Sequence, residues 1–366
     1  MLINSLRGGG AERVCATLAN ELFAAGWNVE VLVLNLRNAV VRDALVPGIA
    51  VIDLGVDHVR TGVFAIARHI RRNRPERFLV FNHQLAVLLV WLRALGVGRF
   101  AIVARNISTL SRKAALEPSF WHSRVVHALT RGFLRRVDTV IAQSWGMKQD
   151  LLDNYGVDEH KLRVIYNPLA PRFDLPRGAA AVPWAQRRDE ILYVGRLAAI
   201  KGLELLIDAC AICMRERPGL TLSLVGTGEQ ERELSDRVRR AGIAGRVTCS
   251  GYVADTVPYY ARAKVVAMTS HYEGFPNVLV EALSQGTPIV SVDCASGPSE
   301  IVQDGRNGFL CRSREPADFA SCLQRVLDRE WDVDSVRQTV DRFSSREIAG
   351  RYARVLSESG VSGGTQ

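Results

Sequence analysis

Two kinds of hydrophobic run alternate along this chain. Short, near-continuous apolar stretches read as strands buried on both faces: "NVEVLVLNL" (28–36), "RFLVFNH" (77–83), "FAIVARN" (100–106) and "VDTVIAQS" (137–144). Between them, "ERVCATLANELFAAG" and "SWGMKQDLLDNYG" space their apolar positions three and four apart, which predicts amphipathic helices. Each stops at a glycine, Gly26 or Gly156, able to take the left-handed conformation that closes a helix. The rhythm breaks at "VIYNPLAPRFDLPRGAAAVPW" (164–184), which is proline-rich and aperiodic, and then restarts. "EILYVGRL", "LTLSLVG", "VTCSGYV", "KVVAMTS" and "PIVSVDC" follow as strands, with helices such as "GLELLIDACAICMRE" and "EQERELSDRVRRAG" between them. Buried strands alternating with helices imply parallel sheets covered on both faces. The pattern therefore predicts an α/β chain of two doubly wound, Rossmann-like domains facing each other across a cleft. The expected limits are 1–168 for the first domain, 169–188 for a linker, 189–342 for the second, and 343–366 for a last helix and tail. That helix, "SSREIAGRYARVL" (344–356), is expected to pack back on the first domain.

The length of 366 residues, 48% of them hydrophobic, is enough for two cores. Charge changes the picture more. Residues 1–177 hold 24 Lys/Arg against 14 Asp/Glu, whereas the remainder holds 23 against 24, so the whole excess of +9 comes from the first half. That half is expected to meet an anionic partner. "SFWHSRVVHALTRGFLRR" (119–136) mixes Phe120, Trp121 and Phe133 with Arg124, Arg131, Arg135 and Arg136. Such a mixture suits an anionic membrane surface, and equally a helix buried on one side and solvated on the other. "LAVLLVWLRALGVG" is interrupted by Arg93 and too short to span a bilayer. The interleaved basic and aromatic strands of a nucleic-acid module are absent. No secretory signal is read at the N-terminus. The seven cysteines include one CxxC, Cys210 and Cys213, inside a helical pattern with no second pair at zinc spacing. That pair reads as buried and structural, and free thiols fit a reducing, cytoplasmic location.

In open α/β sheets ligands bind beyond the C-terminal ends of the strands, and the chemically suggestive residues fall there. "ILYVGRLAAIKG" places Gly195, Arg196 and Lys201 after one strand, "LVGTGEQ" places Gly226 and Gly228 after the next, and "MTSHYEGFPN" runs into Glu273. Glu273 and Glu281, eight apart in "EGFPNVLVE", could be metal ligands, an acid/base pair or charge on a solvated helix. Pro276 fits the first turn of a helix, whose N-terminus would favour phosphate. A carboxylate beside a phosphate must then hold another part of the ligand, and paired sugar hydroxyls suit it. "GTGEQE" lacks the third glycine of the dinucleotide pattern, Glu231 standing in its place, so no nicotinamide site is read. Three glycines in "RGGGAERV" (7–14) let backbone amides approach a ligand closely.

Taken in order, "GRL…KG", "VGTGEQ", "SGYV", "EGFPNVLVEAL" and "GPSEIVQDGRNGFL" resemble the nucleotide-sugar domain of retaining GT-B glycosyltransferases of glycosyltransferase family 4, most closely over 190–312. "SLRGGGAERV" is similar to the opening loop of members that assemble lipid-linked oligosaccharides, O-antigen and capsule. The resemblance implies that Arg196 and Lys201 neutralise the leaving diphosphate in place of a metal, and that Glu273 holds hydroxyls of the transferred sugar. It gives Glu281 the ribose, and gives the stretch of Gly274, Phe275, Pro276, Asn277 and Val278 the sugar and phosphate. Gly195 and Gly226 belong to the same donor site, Tyr252 and Val253 border the base, and Gly9 and Gly10 close over the phosphates from the other domain. Many members carry a histidine where this chain has Arg105 and Asn106, so the acceptor side is assigned to those two and to His83. The implied activity is a retaining, metal-independent hexosyl transfer with no cofactor. It would move an N-acetylhexosamine such as GalNAc or GlcNAc from a UDP-sugar to a polyprenyl-diphosphate-linked glycan. Bacterial surface-polysaccharide or glycoprotein-glycan assembly on the inner face of the plasma membrane is the implied setting, with the chain peripheral there and no nucleic acid involved. Two alternatives stand beside it: a nucleotide-sugar epimerase on the same scaffold, distinguishable by acceptor dependence, and a non-catalytic nucleotide-sugar-binding protein.

Overall fold

The computed structural model describes residues 1–59, 61–105, 111, 130–174 and 181–359. Asn106 and most of the 119–136 segment lie outside the described residues. The chain divides into two compact units: Met1–Ala170 together with the segment from Phe343 onward, and Pro171–Arg342.

The sheet of the first unit contains, among the described residues, seven parallel strands: β1 (Leu2–Ile3), β2 (Glu30–Val33), β3 (Ala50–Asp53), β4 (Arg77–Val80), β5 (Ala101–Arg105), β6 (Thr139–Ala142) and β7 (Leu162–Val164), in the order β3-β2-β1-β4-β5-β6-β7. Alternate strand residues feed two cores, as the two-residue period of a strand requires. Leu32, Phe78 and Val80 pack with the helices Val63–Asn73 and His83–Ala94 on one face. Val31, Val33 and Leu79 pack with the helix Gly10–Ala24 on the other. The last helix, Ser345–Glu358, joins that second core through Ile348, Tyr352 and Leu356, and Ser345 Oγ donates to Glu21 Oε1 at 2.6 Å. Gly26 (φ +88°) and Gly156 (φ +53°) close their helices in the left-handed region.

The second unit repeats the plan. Its strands are β8 (Arg188–Val194), β9 (Thr221–Val225), β10 (Val247–Gly251), β11 (Ala263–Met268), β12 (Ile289–Val292) and β13 (Gly308–Cys311), all parallel, in the order β10-β9-β8-β11-β12-β13. Strand order reverses between β8 and β11, and the crevice above such a reversal is where doubly wound sheets hold ligands. Cys210 and Cys213 are buried inside the helix Leu203–Glu216, and burial pushes the Cys213 thiol up to about 11. β3 and β7, at the two edges of the first sheet, and β13, at an edge of the second, are strands that the apolar pattern does not mark. β10 stops at Gly251, whose φ of +63° turns the chain out of the sheet, so Tyr252 and Val253 lie in the following loop rather than in the strand. Among the described residues no helix is long and apolar enough to cross a membrane.

Candidate nucleotide-sugar site

The site is built by the loops that follow β8, β9, β11 and β12. After β8 the chain turns sharply at Gly195, where the Tyr193 hydroxyl donates to the Arg196 carbonyl at 2.8 Å. It then passes Ala199–Lys201 as one turn of 3-10 helix and reaches Gly202 at φ +56°. After β11 the loop carries Glu273 and enters the helix Asn277–Ser284, with Pro276 as its N-cap rather than a first-turn residue. The two loops meet: Lys201 Nζ lies 2.6 Å from Glu273 Oε1, with the side chains only 23% and 14% exposed. Ser270 Oγ donates to the same Oε1 at 2.6 Å. A lysine from one strand end and a glutamate from the next, paired above the point of strand reversal, give the crevice both a cation for phosphate and an acceptor for hydroxyls.

The surroundings are tightly built. Burial pushes the Tyr193 phenol up, helped by the charge of Glu273 and opposed by Arg196. Burial, again with Glu273 as the next cause, pushes the Cys294 thiol after β12 up to about 12. Gly226, after β9, has φ +138°, and a Cβ there would overlap the carbonyl oxygen of Gly195. Gly228 is similarly pressed against the Leu197 carbonyl, so the glycines of "VGTG" are required by the close approach of two loops. Gly297 (φ +95°) packs its backbone on the "EGFP" turn, where a Cβ would come within 2.5 Å of Pro276 Cδ. The Asn277–Ser284 helix directs the positive end of its dipole out of this turn. Glu281, about one turn in, accepts from the Tyr260 hydroxyl at 2.8 Å. Tyr260 comes from the short helix Val257–Arg262 that follows the "GYV" loop, so this bond joins the Glu281 helix to the loop of Tyr252 and Val253. Arg196 and Tyr252 are exposed.

The structure thus places Gly195, Arg196, Lys201, Gly226, Tyr252, Val253, Glu281 and the 273–278 segment at one end of the second sheet, with Lys201 and Glu273 in direct contact. Tyr193, Thr269, Ser270, Tyr260 and Cys294 support them and were not singled out from the sequence. A hydroxyl three residues before a glutamate carries no signal of its own. Among the described residues no group of three or more His, Cys, Asp or Glu side chains could hold a metal ion.

The remaining expected site residues belong to the first unit. Gly9 caps the helix that starts at Gly10, after the end of β1, and Gly8 takes φ +114° beside it. His83 opens the helix after β4, behind an Asn82 cap whose Oδ1 accepts from the Gln84 N–H at 2.8 Å. Arg105 ends β5 and is only 2% exposed. Its Nε donates to the Tyr352 hydroxyl at 3.1 Å and its Nη2 to Asn167 Oδ1 at 2.5 Å, while the guanidinium lies 5.3 Å from the Phe81 ring centroid. Those contacts tie the last helix to the sheet, a structural duty that the expected acceptor role did not include.

Residues 8–172 match the family described as Glycosyltransferase Family 4, and residues 188–329 the family described as Glycosyl transferases group 1. The chain is 32% identical over 233 residues to a glycogen synthase of Mycobacterium tuberculosis, covering 61% of this chain and 54% of that one. It is 27% identical over 263 residues to the lipopolysaccharide 1,6-galactosyltransferase of Escherichia coli K12, covering 70% and 71%. The chain spans about half the length of the first curated relatives it matches. Among solved structures, Anabaena Alr3699/HepE in complex with UDP-glucose superposes with a TM-score of 0.77 at 23% identity over 98% of each chain. At that identity the likeness shows the fold, a GT-B pair of Rossmann-like domains.

Proposed function

From its place in the group 1/family 4 type of GT-B glycosyltransferases, we propose that the chain transfers a sugar from a UDP-sugar to a lipid-linked glycan. The observation that carries this reading is the Lys201–Glu273 pair above the strand reversal of the second unit. Cleaving the bond between sugar and diphosphate builds negative charge on the leaving group and positive charge on the sugar. Lys201, Arg196 and the N-terminus of the Asn277–Ser284 helix stabilise the first, and Glu273 holds the sugar through its hydroxyls. Glu281 takes the ribose diol, and the loop of Tyr252 and Val253 borders the base. The cations do the work of a metal in this scheme. Attack from the leaving-group face retains the anomeric configuration and requires no second carboxylate as a covalent nucleophile, unlike a retaining glycosidase.

The acceptor falls to the basic first unit. A polyprenyl-diphosphate-linked glycan presents phosphate at a membrane surface, which suits the +10 balance of residues 1–177. Trp91, more than half exposed, packs its ring at 5.8 Å from that of Phe133, and Phe64 stands out from a helix that also exposes Arg68, Arg71 and Arg72. These residues support peripheral docking on the cytoplasmic leaflet, which recovery with anionic but not neutral liposomes would test. The donated sugar is assigned as an N-acetylhexosamine. Calorimetric titration of UDP and GDP without added metal, into wild type and Glu281→Gln, tests the donor site. Micromolar UDP binding that is lost in the variant supports it, and the absence of binding to either nucleotide removes it. A panel of UDP-N-acetylglucosamine, UDP-N-acetylgalactosamine, UDP-glucose and UDP-galactose then tests the sugar.

A further inference from the structure

Thr269 and Ser270, the last residues before the turn that carries Glu273, are each bonded twice in a matched pattern. The Thr269 hydroxyl donates to the Lys201 carbonyl at 3.0 Å, and the Thr269 carbonyl accepts from Arg314 Nη2 at 2.9 Å. The Ser270 hydroxyl donates to Glu273 Oε1, and the Ser270 carbonyl accepts from Arg314 Nη1 at 3.1 Å. Both residues are fully buried. Arg314 comes from the loop after β13, the strand next to β12 and two places from β11. Its guanidinium fits because Gly202 leaves room: a Cβ there would lie 2.6 Å from Arg314 Nη2 and 2.7 Å from the Thr269 oxygen.

We propose that Arg314 is a positioning residue for the transfer, fixing the Thr269–Ser270 step and, through the Ser270 hydroxyl, the carboxylate of Glu273. The inference rests on the donor-site reading above and adds to it a residue outside the loops that meet the ligand. Two carbonyls of adjacent residues call for two N–H groups held in one plane, which a guanidinium supplies and an ammonium does not. With the step loosened, Glu273 keeps its charge but loses its aim. The chemistry of the sugar should then suffer while the grip on the nucleotide persists, because an error of about 1 Å in a positioned group can cost on the order of 100-fold in rate.

The test compares wild type, Arg314→Ala, Glu273→Gln and the double variant in two readouts. One is calorimetric affinity for UDP alone. The other is kcat for UDP release, with water accepting the sugar, from whichever of the four panel UDP-sugars the wild type hydrolyses fastest. Arg314→Ala is expected to leave UDP affinity within about twofold while kcat falls on the order of 10- to 100-fold. In the Glu273→Gln background the same change should cost little, because residues acting as one unit are not additive. Arg314→Lys should recover only part of the loss, and it carries the same comparison if the alanine variant folds poorly. An unchanged kcat, an equal fractional loss in both backgrounds, or a parallel loss of UDP affinity and melting temperature would each overturn the proposal. A wild type that binds no UDP would instead sink the donor-site reading itself.

Discussion

Replacing Lys201 with alanine removes the cation that faces Glu273. At the observed 2.6 Å the pair attracts with about 1.6 kcal/mol in bulk water and about 6 kcal/mol at an effective dielectric of 20. Desolvation and frozen rotamers offset much of that. Exposed pairs contribute about 0–1 kcal/mol, whereas removing one partner of a buried pair costs about 3–5 kcal/mol. With side chains 23% and 14% exposed, and with Ser270 still donating to the Glu273 carboxylate, a loss of about 2 kcal/mol is expected. That lowers the melting temperature of the second unit by roughly 4–8 °C. Glu273→Gln alone should cost less, and the double change should recover part of the loss by removing the buried negative charge. The ligand readout separates the partners further. Lys201→Ala should weaken UDP binding about 10- to 100-fold, because in the proposed donor site it removes a charge-assisted contact to diphosphate. Glu273→Gln should leave UDP within about threefold, because the proposed partner of Glu273 is the sugar. Scanning calorimetry and UDP titration on the three variants measure both. A Lys201→Ala chain with unchanged melting and unchanged UDP affinity would refute the reasoning.

Three further outcomes follow from the geometry. Gly226→Ala forces a side chain into the Gly195 carbonyl at a left-handed backbone angle, and should cost about 4 kcal/mol or more, read as loss of the second unit's thermal transition. Tyr352→Phe deprives the buried Arg105 Nε of its acceptor and should lower first-unit stability by about 1–3 kcal/mol, measured by urea unfolding. Burial holds His69 below its ordinary 6.5, outweighing Glu30, whose Oε2 lies 3.5 Å away but is partly open to water. The unfolded chain therefore binds the proton first, so the first unit should lose stability as pH falls below about 6.5 and keep it above. His69→Gln should flatten that slope in melting curves taken from pH 5 to 8.

Much of this was legible because a buried parallel strand has to be apolar throughout and a covering helix has to be striped. "ILYVGRL" and "VVAMTS" could be little else, and their C-terminal ends marked where Lys201 and Glu273 would be found. Short strands such as β7, Leu162–Val164, give too few residues for a period to show. The contacts that aim the site were hidden for a different reason. Arg105 bonds Tyr352 across 247 positions, and Arg314 reaches Thr269 across 45. Neither pairing leaves a local trace, since an arginine that will bond a distant phenol or carbonyl looks the same in sequence as one that bonds only water.

The return of the chain to its first unit at Phe343 has a consequence for how the molecule is made. A ribosome delivers the whole second unit before it delivers the helix that completes the first. Until Ser345–Glu358 emerges, the slot for Ile348, Tyr352 and Leu356 stands open, and Arg105 has no phenol to bond. The second unit, continuous from 171 to 342, can finish its core during that interval. The nascent first unit must wait, half built, for the last helix to reach it.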